Sequence, residues 1–269
     1  CMKKNLLKIA SKITPKQFKP VLRPLKNKLF PQIKPIILFE GWGMTTEHEI
    51  PWINDLEFQK TNQMMKQSFI HDGVVNTSEI NTDSLLWRHW NVTFCIRYVL
   101  RFAKSSNLNF VECGVASGMS AYFALTELKD KSYNLHLYDS WGIMKSEYLY
   151  DAEKQHIGKY EEQNIQNTKK NLDSFSDKIK YHVGYIPETL DNSAPNEISY
   201  LHIDVNSAKT TLEILEFFYS RLTSNGIILF DDYGWSAYSE TRKIVDKFLN
   251  EKDGILFISP TGQAIFYKS

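Results

Sequence analysis

Phe110-Val111-Glu112-Cys113-Gly114-Val115-Ala116-Ser117-Gly118 reads as a buried strand that stops at an acid, turns on two glycines and opens a helix. The apolar run begins at Leu108. Past the turn, Met119, Tyr122, Phe123, Leu125 and Leu128 are spaced for one helical face. Ser117 stands at the N-cap position with Gly118 behind it. Strand and helix alternate from here to residue 269, the pattern of a parallel sheet covered by helices. Upstream there is no such rhythm.

The spacing is E-x-G-x-x-x-G, not the G-x-G-x-x-G that brings a pyrophosphate onto a helix N-terminus. A carboxylate at Glu112 repels a pyrophosphate. It suits a cationic or hydroxyl-rich ligand, such as the amino-acid end of S-adenosylmethionine (SAM). The plainer alternative is a corner that needed small residues.

The chain has 269 residues, 42% hydrophobic and 13% aromatic, enough for a sizeable core. A net charge of +1 argues against a global nucleic-acid role, but the charge is uneven. Residues 1–35 hold ten Lys/Arg and no Asp or Glu, so the remainder is net acidic. Prolines at 15, 20, 24, 31 and 35 rule out one long helix in this arm. Asn5 to Ile13 is the stretch able to form a short basic helix on anionic lipid, and a partly ordered arm is the plain alternative. Cys1, Cys95 and Cys113 form no CxxC pair and no even framework, which points to a reducing compartment. No apolar run approaches the roughly 20 residues of a membrane span. The expected location is cytoplasmic, with peripheral membrane contact through the arm.

Three regions are expected: a basic arm at 1–35, an N-terminal cap and helix at 36–106, and a ligand-binding domain at 107–269. In the cap, Ile36 to Phe39 suggests a strand, Asp72-Gly73 a turn, and Thr82 to Lys104 a long helix capped by Thr82 or Asp83 and packed against the sheet edge. Arg88 and His89 on it are expected to be surface or satisfied residues. Strands are expected at 108–113, 134–138, 179–183, 198–204 and 227–230. Helices are expected at 117–129, 159–173, 208–221 and 238–250. A mobile segment is expected at 141–157 and a turn at Ser224-Asn225-Gly226. The last two strands, Gly254–Ser259 and Gln263–Lys268, are joined by about three residues and so must be antiparallel. The fold class is therefore α/β: a doubly wound, mostly parallel seven-stranded sheet with an antiparallel final strand and an N-terminal helical cap. Class I SAM-dependent methyltransferases have this Rossmann-like fold, whereas a plain NAD-binding sheet stays parallel to its end.

Ligands of open α/β sheets bind beyond the carboxyl ends of the strands. Those tips are Glu112-Cys113-Gly114, Asp139-Ser140, Gly184-Tyr185, Asp204 and Asp231-Asp232. Glu112, Cys113, Gly114, Ser117, Gly118, Asp139, Ser140 and Gly184 are the expected cofactor-binding residues, with Asp139 placed to accept ribose hydroxyls. Asp204, Asp231 and Asp232 sit on tips expected to be neighbours. Two like charges ~4 Å apart repel by roughly 4 kcal/mol at an effective dielectric near 20, so this group calls for a cation, a proton or separation. Hard oxygen donors favour Mg²⁺ or another divalent cation of its kind. Pairing with Arg or helix capping is the alternative. His202, two residues before Asp204, shares its strand face and is the other candidate for proton transfer; more often such a His is a satisfied core residue.

Tyr138-Asp139-Ser140, Gly184 to Leu190, His202-Ile203-Asp204-Val205 and Gly226 to Gly234, together with Val111-Glu112-Cys113-Gly114, resemble the macrocin and mycinamicin O-methyltransferases over roughly 108–269. The resemblance implies SAM near Glu112, Gly114, Gly118 and Asp139, and Mg²⁺ on Asp204, Asp231 and Asp232. It implies methylation of a hydroxyl on a sugar or related polyol, with a small molecule or glycan as acceptor; a homo-oligomer is one expected assembly, which the resemblance does not decide. One position departs. The family's second aspartate, a candidate base, is Asn206 here, which leaves His202, a metal-bound hydroxide or, at some cost to metal binding, Asp204 for that role, or else a substrate unlike the family's sugars. Metal-free transfer to a phenol or amine, and SAM binding without catalysis, are the competing expectations.

Overall fold

Side chains from one strand divide between two cores. Phe110, Tyr200, Ile227 and Leu229 enter one; Val111, Leu201, Ile228 and Phe230 enter the other. The alternation follows from the two-residue period of a strand, and a strand buried on both faces reads as an unbroken apolar run. The structure, a computed structural model, describes residues 49–69, 85–104 and 108–269. The chain divides into units 1–50 and 51–269, and every element below lies in the second. The basic arm, the strand at 36–39, the turn at 72–73 and the helix cap at Thr82 or Asp83 fall outside the described residues. Among the described residues no helix is long and apolar enough to cross a membrane.

Helices α1 (Leu56–Ser68) and α2 (Leu86–Phe102) precede strand β1 (Leu108–Cys113). Then come α3 (Met119–Leu128), β2 (Tyr133–Asp139), α4 (Ile165–Asn171), β3 (Ile179–Val183), β4 (Ile198–Ile203), α5 (Ala208–Phe218), β5 (Leu222–Phe230), α6 (Ser239–Leu249), β6 (Gly254–Ile258) and β7 (Ala264–Lys268). The seven strands lie in the order β3-β2-β1-β4-β5-β7-β6. Strands β1 to β5 are parallel, and β7 runs antiparallel to both β5 and β6. The sheet is thus the expected Rossmann-like methyltransferase fold. Its order reverses between β1 and β4, the switch point where such folds bind ligands.

Several expectations need correction. Helix α2 covers the sheet face at β4 and β5 and packs on α3, rather than lining an edge. Its buried side, Val92, Cys95, Ile96 and Val99, is apolar enough to join the core. The N-cap of α3 is Gly118, at φ +85°, and no side chain caps it; Ser117 lies one residue too early. The segment at 141–157 forms two 3₁₀ turns with Leu149, Glu153 and His156 buried. Glu153 fixes it, accepting from Tyr150 N–H (3.0 Å) and from Ala208 N–H at the start of α5 (2.7 Å). The helix expected at 159–173 shrinks to α4, capped by Asn164, because Gly158 and Tyr160 hold positive φ just before it. The turn at 224–226 is a bulge inside β5: Ile198 pairs with Leu222, and Tyr200 with Ile227.

Candidate active site

The parallel ladder runs one residue past the strand ends. Gly184 N–H donates to the Asp139 carbonyl (2.9 Å), Gly114 to Tyr138 (2.8 Å), Asp204 to Cys113 (2.9 Å) and Asp231 to Ile203 (3.0 Å). These bonds set five strand tips side by side in one row. Gly114 lets the row close. Its φ is +84°, and a Cβ on it would lie 1.9 Å from the Asp204 carbonyl oxygen.

At one end of the row, Asp139 holds the loop after β1. Its Oδ2 accepts from Val115 N–H (2.6 Å) and Ala116 N–H (2.9 Å), and its Oδ1 from Trp141 N–H (2.7 Å). A carboxylate offers about four acceptor positions, so roughly one is left. Burial lifts the Asp139 carboxyl above its ordinary value against the pull of those three donors. Trp141 Nε1–H donates to the Ala116 carbonyl (3.1 Å) and Thr168 Oγ1 (2.9 Å), and Asn171 donates to the Ser117 carbonyl (2.9 Å). The loop is held from both flanks.

At the other end three carboxylates gather. Arg88 of α2 reaches them from above: its Nε donates to Asp231 Oδ1 (2.7 Å), and its terminal nitrogen pairs with Asp204 Oδ2. Gln263, on the turn into β7, donates to the same Asp231 oxygen (2.8 Å) and is itself held by Asn91 of α2 (2.7 Å). Asp232 faces away from Arg88's contacts and accepts from Asn206 N–H (2.9 Å) and Asn206 Nδ2 (2.8 Å). Tyr160 O–H donates to Asn206 Oδ1. Burial raises the Asp204 carboxyl to about 7, with the Asp231 carboxylate adding to the rise and Arg88 opposing it. Burial and then Asp204 and Asp231 push Asp232 well above the usual range. Burial alone lowers the Arg88 guanidinium, and the three carboxylates reverse that and raise it.

Both ends open into one cavity of about 610 Å³, within the roughly 300–1,000 Å³ usual for small-molecule sites. Gly114, Ser117, Asp139, Ser140, Gly184, Asp204, Asp231 and Asp232 all line it. Gly118 lies just behind this wall, at the start of α3, with Leu172 packed on it. Glu112, Cys113 and His202 lie beneath it. Glu112 is buried, accepts from Ser120 Oγ (2.6 Å) and has His202 Nδ1 3.7 Å away. Cys113 points into the opposite core. His202 is fully buried; burial lowers its pKa, the Glu112 carboxylate raises it, and the net shift is upward.

Sequence reasoning passed over the opposite walls. Arg88 looked like an ordinary charge on an amphipathic helix; only the register of α2 over β4 and β5 aims it at the acids. Tyr148 and Tyr185 stack with ring centres 4.6 Å apart and planes 2° from parallel, and Lys145 Nζ lies 4.1 Å from the Tyr185 ring. Tyr160, Trp235 and Tyr238 form the wall beside Asn206. The tyrosines sit in segments with no period to read, so their convergence carries no sequence signal.

Residues 111–233 match the family model described as a methyltransferase domain. That span runs from β1 past the acids at the end of β5. No curated protein sequence matches the chain. Among solved structures, the O-methyltransferase NovP aligns at TM-score 0.63 and 14% identity, over 80% of this chain and 97% of its own. The calicheamicin methyltransferase CalS11 aligns at 0.58 and 17%, over 85% and 98%. The SAH-bound methyltransferase PaMTH1 of Podospora anserina aligns at 0.51 and 15%, over 96% and 98%. These likenesses speak for the fold. Residues 111–233 thus match a methyltransferase domain, set in a fold that the chain shares with these solved methyltransferases.

Proposed function

We propose that the enzyme transfers the methyl group of SAM to a hydroxyl of a sugar or related polyol, with a divalent cation such as Mg²⁺ at the strand-tip acids. One observation carries this reading: a single cavity joins the Asp139 loop at one end to Asp204, Asp231 and Asp232 at the other. The donor set suits a cation. One ligand atom each from His202, Asp204 and Asp231 lie within 4.8 Å of one another, and neither His202 nitrogen has a hydrogen-bond partner. Asp232 is turned to Asn206, so this grouping exchanges one oxygen of the expected set for a nitrogen. Bound SAM supplies an electrophilic methyl group. A bound divalent cation lowers the pKa of a hydroxyl it coordinates.

The chain's own residues then divide the work. Asp139 keeps the loop at 115–116 in place and retains an acceptor position for a ribose hydroxyl. Asp204 lines the cavity and is the group positioned to take the acceptor's proton. His202 lies beneath the cavity wall and takes no proton from the acceptor; its part is the ring nitrogen it offers beside Asp204 and Asp231. Asn206 cannot take a proton; it anchors Asp232 and Tyr160. Tyr160, Trp235 and Tyr238 offer an aromatic and hydroxyl-bearing wall of the kind that holds sugar rings. NovP by name methylates oxygen, and CalS11 by name belongs to calicheamicin, which agrees with a hydroxyl acceptor. The ion pair from Arg88 favours a second reading, metal-free transfer to a phenol or amine.

Calorimetric titration with SAM, followed by methyl transfer from labelled SAM to a panel of nucleotide sugars and polyols, tests the proposal. SAM binding without added metal and transfer abolished by EDTA are expected. Turnover unaffected by EDTA selects the second reading, and no SAM binding overturns both.

A further inference from the structure

Arg88 does the job at this cluster that a cation would do. Its guanidinium spans two carboxylates from two strands, with Nε on Asp231 and the terminal nitrogen on Asp204. Gln263 donates to the same Asp231 oxygen, and the Asn206 backbone and side chain donate to Asp232. Each of the three carboxylates therefore has a protein donor without an ion. Asn206 works in the same direction, since an acid in its place would add a fourth charge and remove the Nδ2 donor to Asp232. Yet Asp204 and Asp231 are also the two oxygens-bearing members of the group spaced for a metal. A dication and a guanidinium within about 4 Å of each other repel twice as strongly as two unit charges, so both cannot share these carboxylates.

We propose that Arg88 is an internal competitor for the divalent cation: its guanidinium bridges Asp204 and Asp231 in the metal-free protein and leaves them when the ion binds. This rests on the divalent-cation reading above. Only the side chain has to move. Arg88 sits in the first turn of α2, whose next three turns are fixed in the core by Val92, Cys95, Ile96 and Val99. Arg88 itself lines the cavity, which gives the released guanidinium room on the solvent side. Metal affinity is thus set by an exchange of one cation for another rather than by the donors alone.

Mn²⁺ is the probe, with free Mn²⁺ read by electron paramagnetic resonance against the wild-type protein, Arg88→Met, Arg88→Lys and Asp231→Asn. Hydrogen bonds to charged groups are worth enough that Arg88→Met is expected to bind Mn²⁺ at least about tenfold more tightly than wild type. Arg88→Lys, which keeps the charge and loses the two-pronged contact, is expected in between, and Asp231→Asn is expected to lose the site. In wild type, Mg²⁺ is expected to shift the Arg88 Nε–H resonance, a readout that needs no variant to fold. Equal affinities in wild type and Arg88→Met, with native circular dichroism and an unmoved Nε–H resonance, overturn the competition and leave the metal reading standing. No Mn²⁺ bound by either protein overturns both. Tighter binding in Arg88→Met with turnover that ignores chelators upholds the competition and removes the metal only from catalysis.

Discussion

Gly114 ties the two ends of the site together at the scale of one residue. The sequence marks it as a glycine where a cofactor approaches, but the atom that demands it is the Asp204 carbonyl oxygen, 1.9 Å from where a Cβ would stand. Gly114→Ala must push β4's tip away from β1's and strain a φ of +84° as well. The expected cost is on the order of 2–4 kcal/mol of stability. SAM and metal binding should both weaken, because the change displaces the loop and Asp204 at once. A denaturant melt with calorimetry of each ligand checks this, and loss of SAM binding alone contradicts it. Residues at the strand tips were legible because the ends of apolar runs are. Arg88, Gln263 and Tyr160 were not, since each reaches the site from an element whose register only tertiary packing decides. Glu112 shows the opposite limit. Its place in the motif was plain, yet Ser120 and His202 draw its carboxylate below the cavity floor.

Among the elements, β1 to β7 were read within a residue or two at most ends, because a strand buried on both faces cannot hide its apolar run. Strand β5 is the exception: its bulge at 224–226 carries the residues of a turn. Helices fared worse where a local conformation overrode the pattern, as at Gly158 and Tyr160 before α4. Helix α1 had no clear period, and aromatic contact explains its place. Phe58 is buried and packs on Trp52 (ring centres 5.6 Å), Trp90 (5.2 Å) and Phe123 (5.1 Å), which joins α1 to both α2 and α3. Truncating a buried Phe to Ala costs about 3–5 kcal/mol. Phe58→Ala is expected to undock α1 while the sheet persists. Amide exchange should rise over 56–68 and not over 198–203. Uniform exchange across both segments would show instead that α1 and the sheet unfold as one.

Stability against pH belongs to the whole molecule, because buried groups of opposite sign contribute from different faces. His136 stands within β2 and His89 on α2, and burial lowers them to about 4 and about 3. The unfolded chain takes up protons below about 6.5, the folded one does not, so these residues cost stability as pH falls from about 6.5 toward 4. Asp204 works in reverse. Burial raises it to about 7 and pushes Asp232 well above its ordinary value, so the folded protein holds two protons that the unfolded chain releases above about 4, against the two of the histidines. The Asp204 contribution is present at low pH and disappears as pH rises to about 7. Each unmatched proton tilts the curve by up to roughly 1.4 kcal/mol per pH unit. The opposing slopes predict a shallow profile between pH 4 and 6.5 in the wild type, measured as melting temperature without metal. His136→Asn is expected to tilt it so that stability falls with rising pH, and Asp204→Asn so that it rises. Parallel profiles for all three proteins would mean that these groups titrate alike in folded and unfolded chains. A saturating divalent cation should remove the Asp204 slope, since an ion on that carboxylate replaces its proton. The same melts at high Mg²⁺ therefore read the acid cluster from the stability of the entire unit.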